Sequence, residues 1–226
     1  MRLQDGMTFA HYYSGKNALA VHAVQNLSCY QSDTPQERLL YLWSSCSMGR
    51  SHLLQACALE VLEQGYRSVY IPLKNIAYFS LSILENLEDN DMICIDDIDM
   101  IAGYRTWEES FFHLFNRCEE KQVRLIFSAS SPVRDLVLQL QDLKSRLGLA
   151  PVFQLHAFSD EEKMKALQFR AKARGLDLND DVAEFLLRRS HREMQDLMQI
   201  LDRLDQSSWQ ENRKLSIPFV KATLSW

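Results

Sequence analysis

Short, unbroken apolar runs alternating with helical stretches constrain this chain more than any other feature of its sequence. The runs are Leu39 to Trp43, Ser68 to Leu73, Met92 to Ile95, Val123 to Phe127 and Val152 to Leu155, each of strand rather than helix length. Strands that are apolar on both faces belong in a sheet covered on both sides, and the intervening helices do the covering. Arg50 to Gln64 carries Leu53, Leu54, Cys57, Ala58, Val61 and Leu62 at helical spacing, with Gly65 where a terminating glycine belongs. Trp107, Phe111, Leu114 and Phe115 mark another helix. The expectation is an α/β fold built on a mostly parallel five-stranded sheet.

After Phe158 the pattern turns wholly helical. Ser159 with Glu162 reads as a capping box, Met164, Leu167 and Ala171 follow at helical spacing, and Gly175 is the stop. Asp180 to Arg189 and Arg192 to Leu204 continue with apolar residues at core spacing, and a last helix follows Pro218. Two domains are therefore expected: an α/β core over 1–158 and a small helical lid over 159–226.

Composition removes several function classes. A net charge of −5 in 226 residues does not suit a protein that works by neutralising nucleic-acid phosphates, so direct sequence-specific DNA binding is not expected. No apolar run approaches the ~20 residues of a membrane span, and residues 1–6 lack the apolar run of a secretory signal, which predicts a cytoplasmic protein without a membrane partner. Cys29, Cys46, Cys57, Cys94 and Cys118 show no Cys-x-x-Cys spacing and read as reduced core residues, and the six histidines show no metal-ligand spacing.

The turn between the first strand and the following helix is the candidate site. A phosphate loop has the spacing Gly-x-x-x-x-Gly-Lys-Ser/Thr. Here that window runs from Ser44 to Ser51 and includes Ser47 and Met48, with His52 next in line. Gly49 holds the second glycine position and Ser51 the hydroxyl position, whereas Ser44 replaces the first glycine and Arg50 the lysine. The bland alternative is an ordinary strand-to-helix turn. The context argues against it, because the strand at Met92 ends in Asp96 and Asp97, where Asp96 suits a Mg²⁺ shell and Asp97 suits an attacking water. An exposed acidic turn is the other reading. Asp96, Asp97 and Asp99 also crowd one another, a repulsion that a bound cation or Arg50 relieves. Ser130 ends the next strand, where it either touches a γ-phosphate or is one serine of a polar turn. Arg146 reads from the residues alone as a surface arginine, and Arg192 as either a phosphate contact or a solvated residue. Phe9, Tyr12 and Tyr13 suit either an adenine base or the core.

Gly49-Arg50-Ser51-His52-Leu53-Leu54, Ile95-Asp96-Asp97-Ile98, Leu143-Lys144-Ser145-Arg146-Leu147 and Arg192-Glu193-Met194, in that order, resemble the AAA+ ATPase domain of bacterial initiators, the DnaA family. With Arg213 to Lys221 the likeness is to its Hda branch, shorter homologues that inactivate the initiator. The resemblance covers residues 8 to 226 and includes no counterpart of the initiator's helix-turn-helix domain. It implies a regulator that binds ADP or ATP, with Mg²⁺, and promotes hydrolysis of the ATP held by DnaA. Gly49, Arg50 and Ser51 would hold the nucleotide, with Asp96 near the metal, Ser130 as sensor 1 and Arg192 as sensor 2. Arg146 would be the arginine finger given in trans. The implied partners are DnaA and the DNA polymerase sliding clamp. Hda proteins reach the clamp through a Gln-Leu-x-Leu-Pro peptide, whereas this sequence begins Met-Arg-Leu-Gln-Asp-Gly and contains none. The oligomeric state stays open, a homodimer included. The competing reading is an AAA+ loader or remodeller that hydrolyses its own ATP in a replication or transposition complex. Ser44 and Arg50 weigh against it and favour little or no ATPase activity of the chain's own.

Overall fold

The computed structural model describes residues 6–30, 37–191, 193–211 and 214–226. Strands β1 (Leu39–Trp43), β2 (Ser68–Pro72), β3 (Met92–Asp96), β4 (Arg124–Ala129) and β5 (Val152–Gln154) form one sheet. Every pairing is parallel, in the order β2-β3-β4-β1-β5. The continuous apolar runs occupy the middle: β3 is buried over its whole length, while the edge strands β2 and β5 are more exposed. Strand β4 lies between β1 and β3, and its register with them, Trp43 opposite Ala129 and Ile95 opposite Phe127, aligns the carboxyl ends of all three. In open parallel sheets such ends, at a reversal of strand order, are where ligands are held.

Parallel strands need crossovers. Helix α1 (Ala18–Ser28) precedes the sheet, and α2 (Arg50–Glu63) joins β1 to β2. Leu53 to Ala58 are all buried in α2, because α1 packs against one side of it and β2 and β3 against the other. The β2-to-β3 connection is built from 3₁₀ turns at Leu73–Tyr78, Leu81–Leu84 and Leu87–Asp89, which bury Leu73, Ile76, Leu84 and Leu87. Helix α3 (Arg105–Glu120) joins β3 to β4 and sets Phe115 parallel to Phe127 of β4, centroids 6.4 Å apart. The short α4 (Gln141–Leu147) packs on α3 before β5.

The described residues divide into two compact units: 17–156 with the segment ending at Ala10, and 157–226 with the segment His11–Lys16. The second unit contains α5 (Asp160–Ala173), α6 (Asp180–Arg189), α7 (Met194–Glu211) and α8 (Ile217–Leu224) around Leu167, Leu186, Leu197, Leu201, Leu204 and Phe219. Three of its helix starts are capped by side chains. Ser159 and Glu162 form the reciprocal capping box, Asn179 accepts from Val182 N–H, and Ser216 accepts from Phe219 N–H. Tyr13 belongs to this unit, edge-on to Phe158 at 5.6 Å and 6.0 Å from Phe169. The chain turns beside it at Gly15, φ +45°, where a Cβ would come within 2.9 Å of the Tyr13 ring. No helix among the described residues is long and apolar enough to cross a membrane.

Candidate functional site

The loop from Ser44 to Gly49 leads off the carboxyl end of β1 into α2. Ser44 N–H donates to Ala129 O at 3.2 Å, one step beyond the strand pairing, and the residue is fully buried. Its hydroxyl donates to Cys46 O at 2.7 Å and Met48 N–H donates to the same carbonyl at 2.9 Å, so the loop is folded tightly about Cys46. Gly49 adopts φ 85°, ψ 28°, a left-handed conformation that glycine takes without Cβ strain. It is also the N-cap of α2 and offers no side chain to the helix's first N–H groups. The first N–H groups of a helix suit an anion. Ser47 and Ser51 are exposed at this end, Met48 is buried, and His52 Nε2 lies 2.8 Å from Thr8 O, which fastens the N-terminal segment to α2.

Arg50 is committed inside the loop. Its Nη1 bonds the Ser44 carbonyl and lies 3.3 Å from the Ser44 hydroxyl, while Nη2 pairs with Asp97 Oδ1 at 2.8 Å. Both charged side chains keep under a fifth of their exposure, 18% and 17%. This is one of the two relief mechanisms expected for the acidic crowd. Burial, and then the Asp96 charge, hold the Asp97 carboxyl above the usual range, and Arg50 pulls against both. Asp97 itself sits at φ 58°, ψ 53°, a conformation that Asp tolerates better than most residues and that is held here by its N–H donating to Ser128 Oγ at 2.9 Å.

Asp96 is only 1% exposed. Tyr70 donates its phenol to Oδ2 at 2.7 Å and Ser128 its hydroxyl to Oδ1. The Ser51 hydroxyl meets the same phenol, so the two residues expected to serve Mg²⁺ flank one Tyr70 oxygen. Burial, then the Asp96 charge, push that phenol far up. Asp99 Oδ2 accepts both the hydroxyl and, at 3.2 Å, the N–H of Ser130, while its buried Oδ1 has no hydrogen-bond partner. Among the described residues no group of three or more His, Cys, Asp or Glu side chains is arranged to hold a metal ion.

The fold thus gathers Ser44, Ser47, Met48, Gly49, Arg50, Ser51 and His52 on one turn, with Asp97 tied to it and Asp96 and Ser130 at the ends of adjacent strands. Arg146 lies elsewhere. On α4 its Nη1 pairs with Glu119 Oε2 of α3 at 2.8 Å and its guanidinium sits 5.8 Å from the Phe115 ring centre. Arg192 and Arg213 lie outside the described residues. Tyr12 is largely buried, which pushes its phenol up, and Tyr13 packs within the helical unit. Two participants escaped the sequence reading. Tyr70 is the middle residue of an edge strand read as an apolar run, and Ser128 directly follows the run expected at Val123 to Phe127. Only strand register brings them to Asp96.

The family described as the bacterial DnaA ATPase domain matches residues 3–154, and the family described as the Hda lid domain matches residues 160–224. Domain III of the Thermotoga maritima replication initiation protein DnaA superposes with a TM-score of 0.80 at 17% identity, over 100% of this chain and 98% of that one. AMPPCP-bound DnaA from Aquifex aeolicus gives 0.75 at 18% identity, over 93% and 68%. The Thermotoga maritima RuvB branch-migration motor gives 0.65 at 15% identity, over 99% and 73%. The five-stranded α/β core and helical C-terminal part are therefore an AAA+ fold.

Proposed function

The chain belongs to the bacterial DnaA ATPase-domain family and carries an Hda-type lid, and on that footing we propose that it is a nucleotide-holding regulator that inactivates DnaA. The observation that carries this reading is the contrast between two arginines. Arg50 is engaged within the chain's own loop, by Ser44 and Asp97, whereas Arg146 stands on α4 against a single, half-exposed carboxylate. An arginine held so lightly exchanges its partner at little cost, since exposed ion pairs contribute about 0–1 kcal/mol.

ADP or ATP would lie with its phosphates at Ser44, Ser47, Met48, Gly49, Arg50, Ser51 and His52, with Ser51 and Asp96 as the oxygen donors for Mg²⁺. The left-handed Gly49 and the uncapped start of α2 fit an anion, and the unpartnered Asp99 Oδ1 beside Ser130 fits a cation or water. Ser44 and Arg50 keep the loop occupied by its own residues, which favours a held nucleotide over rapid turnover. Arg192 would read it from the lid. Two solved structures described as DnaA are bound to AMPPCP, one of them also to single-stranded DNA. The partners proposed here are DnaA and the sliding clamp, in the cytoplasm.

The test mixes the purified chain with ATP-loaded DnaA and clamp-loaded DNA and follows hydrolysis of the bound ATP. Arg146→Ala is expected to return hydrolysis toward the unstimulated rate of DnaA, a finger in trans being worth about three to five orders of magnitude. Unchanged stimulation by Arg146→Ala, with rapid ATP turnover by the chain alone, would favour the loader reading and end this one.

A further inference from the structure

Glu108 is fully buried in α3, and among the described residues it makes no ion pair. A buried carboxylate is costly unless its oxygens are satisfied. Both are, and by main-chain groups far apart in sequence: Oε1 accepts Gly103 N–H at 2.9 Å and Oε2 accepts Leu140 N–H at 2.7 Å. Gly103 closes the loop that begins at Asp97 and holds Asp99, the partner of Ser130. Leu140 is the N-cap of α4, the helix of Arg146. Lys144 fastens the same helix from within, its ammonium donating to Arg134 O at 2.7 Å and Leu136 O at 2.8 Å.

We propose that Glu108 is a positioning residue for Arg146, a two-ended clamp that fixes the start of α4 to the loop carrying Asp97 and Asp99. It sets where Arg146 is presented and makes that placement sensitive to nucleotide in the chain's own loop. This rests on the reading of Arg146 given above. The chemistry requires a carboxylate: two acceptor oxygens face two donors, and a glutamine would turn its NH₂ toward one of the N–H groups whichever way the amide lay. Neighbouring Glu109, by contrast, makes an exposed pair with Arg105 on the outer face of α3.

The experiment compares the wild-type chain, Arg146→Ala and Glu108→Gln in stimulated hydrolysis of DnaA-bound ATP, below their melting temperatures. Glu108→Gln is expected to lower the maximal rate about a hundredfold, the effect of a small misplacement of a reacting group. The concentration giving half-maximal stimulation should stay unchanged, a split that general loss of structure does not give. Wild-type stimulation by Glu108→Gln beside a dead Arg146→Ala overturns the proposal and leaves the function standing. Full stimulation by Arg146→Ala removes the function and this inference together. Should Glu108→Gln not fold, amide NMR of the wild-type chain decides. The Leu140 N–H should be protected as strongly as that of Gly103, and its resonance should shift on ADP addition along with that of Gly49. An unprotected Leu140 amide, or one that ignores ADP while Gly49 responds, overturns the clamp.

Discussion

Replacing Arg50 with methionine would leave a mostly buried carboxylate without its cation. Removing one partner of a fully buried ion pair costs about 3–5 kcal/mol. The Arg50–Asp97 pair is 2.8 Å long, and its side chains keep 18% and 17% of their exposure. Water therefore reaches part of the orphaned charge, and the expected loss at neutral pH is about 2–3 kcal/mol, including the bonds to Ser44. For a folding unit of this size that is a fall in melting temperature of roughly 5–10 °C. The pH dependence is the sharper test. Asp97 is already held above the usual carboxylate range by burial and by Asp96, and Arg50 is what lowers it, so the variant's Asp97 must take up its proton at still higher pH. A raised folded pKa contributes stability that is fully present below the unfolded value and is lost as pH rises through the folded one. The variant thus loses it over a window reaching nearer neutrality. The difference from wild type should be largest near neutral pH and shrink as pH falls toward the carboxylate range. Urea unfolding of the full chain at several pH values, with NMR titration of the Asp97 carboxyl, measures both. A destabilisation that grew on acidification, or an Asp97 that titrated lower without Arg50, would refute the account.

Ser44→Gly restores the usual glycine yet is expected to destabilise by about 1–2 kcal/mol, because two hydrogen bonds are lost and chain entropy is gained; a higher melting temperature would contradict the role given to the hydroxyl. Tyr70→Phe removes a 2.7 Å donor from buried Asp96, with an expected cost of about 1–3 kcal/mol, and Mg²⁺ with ADP should then raise the melting temperature more than in wild type. If bound phosphate draws Arg50 from Asp97, Asp97 gains a proton, so calorimetry in buffers of different ionisation enthalpy should find more proton uptake on ADP binding by wild type than by Asp97→Asn. Equal uptake would mean that Arg50 stays on Asp97.

The inner strands were legible because their burial is nearly continuous: the expected runs at Leu39, Met92 and Val123 became β1, β3 and β4 within two residues at each end, and the more exposed edge strand β5 begins at Val152 as expected. Helix α4 was not, since Gln141–Leu147 offers only Leu143 and Leu147 as core residues in two turns. The β2-to-β3 crossover also lacked a helical period, and it folds as 3₁₀ turns held by scattered leucines. In the site, Gly49, Arg50 and Asp97 could be named from spacing, because a phosphate loop and the strand after it are local patterns. The partners of Asp96 could not. Ser128 reaches it through a register that pairs Ile95 with Phe127, 32 residues away, and Tyr70 through the β2–β3 pairing. Nothing in the sequence sets Glu108 apart from Glu109, and only the packing of two loops over α3 reveals that one of those charges is interior.

The two departures from the usual phosphate loop, Ser44 and Arg50, are one departure. A guanidinium is a planar fork whose donors point in fixed directions. Here Nη2 reaches Asp97, while Nη1 turns back to the start of the loop, where it meets both the carbonyl and the hydroxyl of residue 44. A glycine there would supply only the carbonyl and would leave Cys46 O without the hydroxyl that folds the loop around it. A lysine at 50 would bring a single point charge, unable to bridge Ser44 and Asp97 in the same way. Each substitution therefore supplies what the other needs, and Asp97, raised by burial, supplies the third corner. The result is a loop with much of its order built in by its own side chains. An incoming phosphate meets an arginine already bound on two sides, so whatever it gains from Arg50 is reduced by the bonds it displaces. Such a loop suits holding a nucleotide better than cycling through many, in keeping with the role proposed above for Arg146, whose ion pair with Glu119 lies away from that loop.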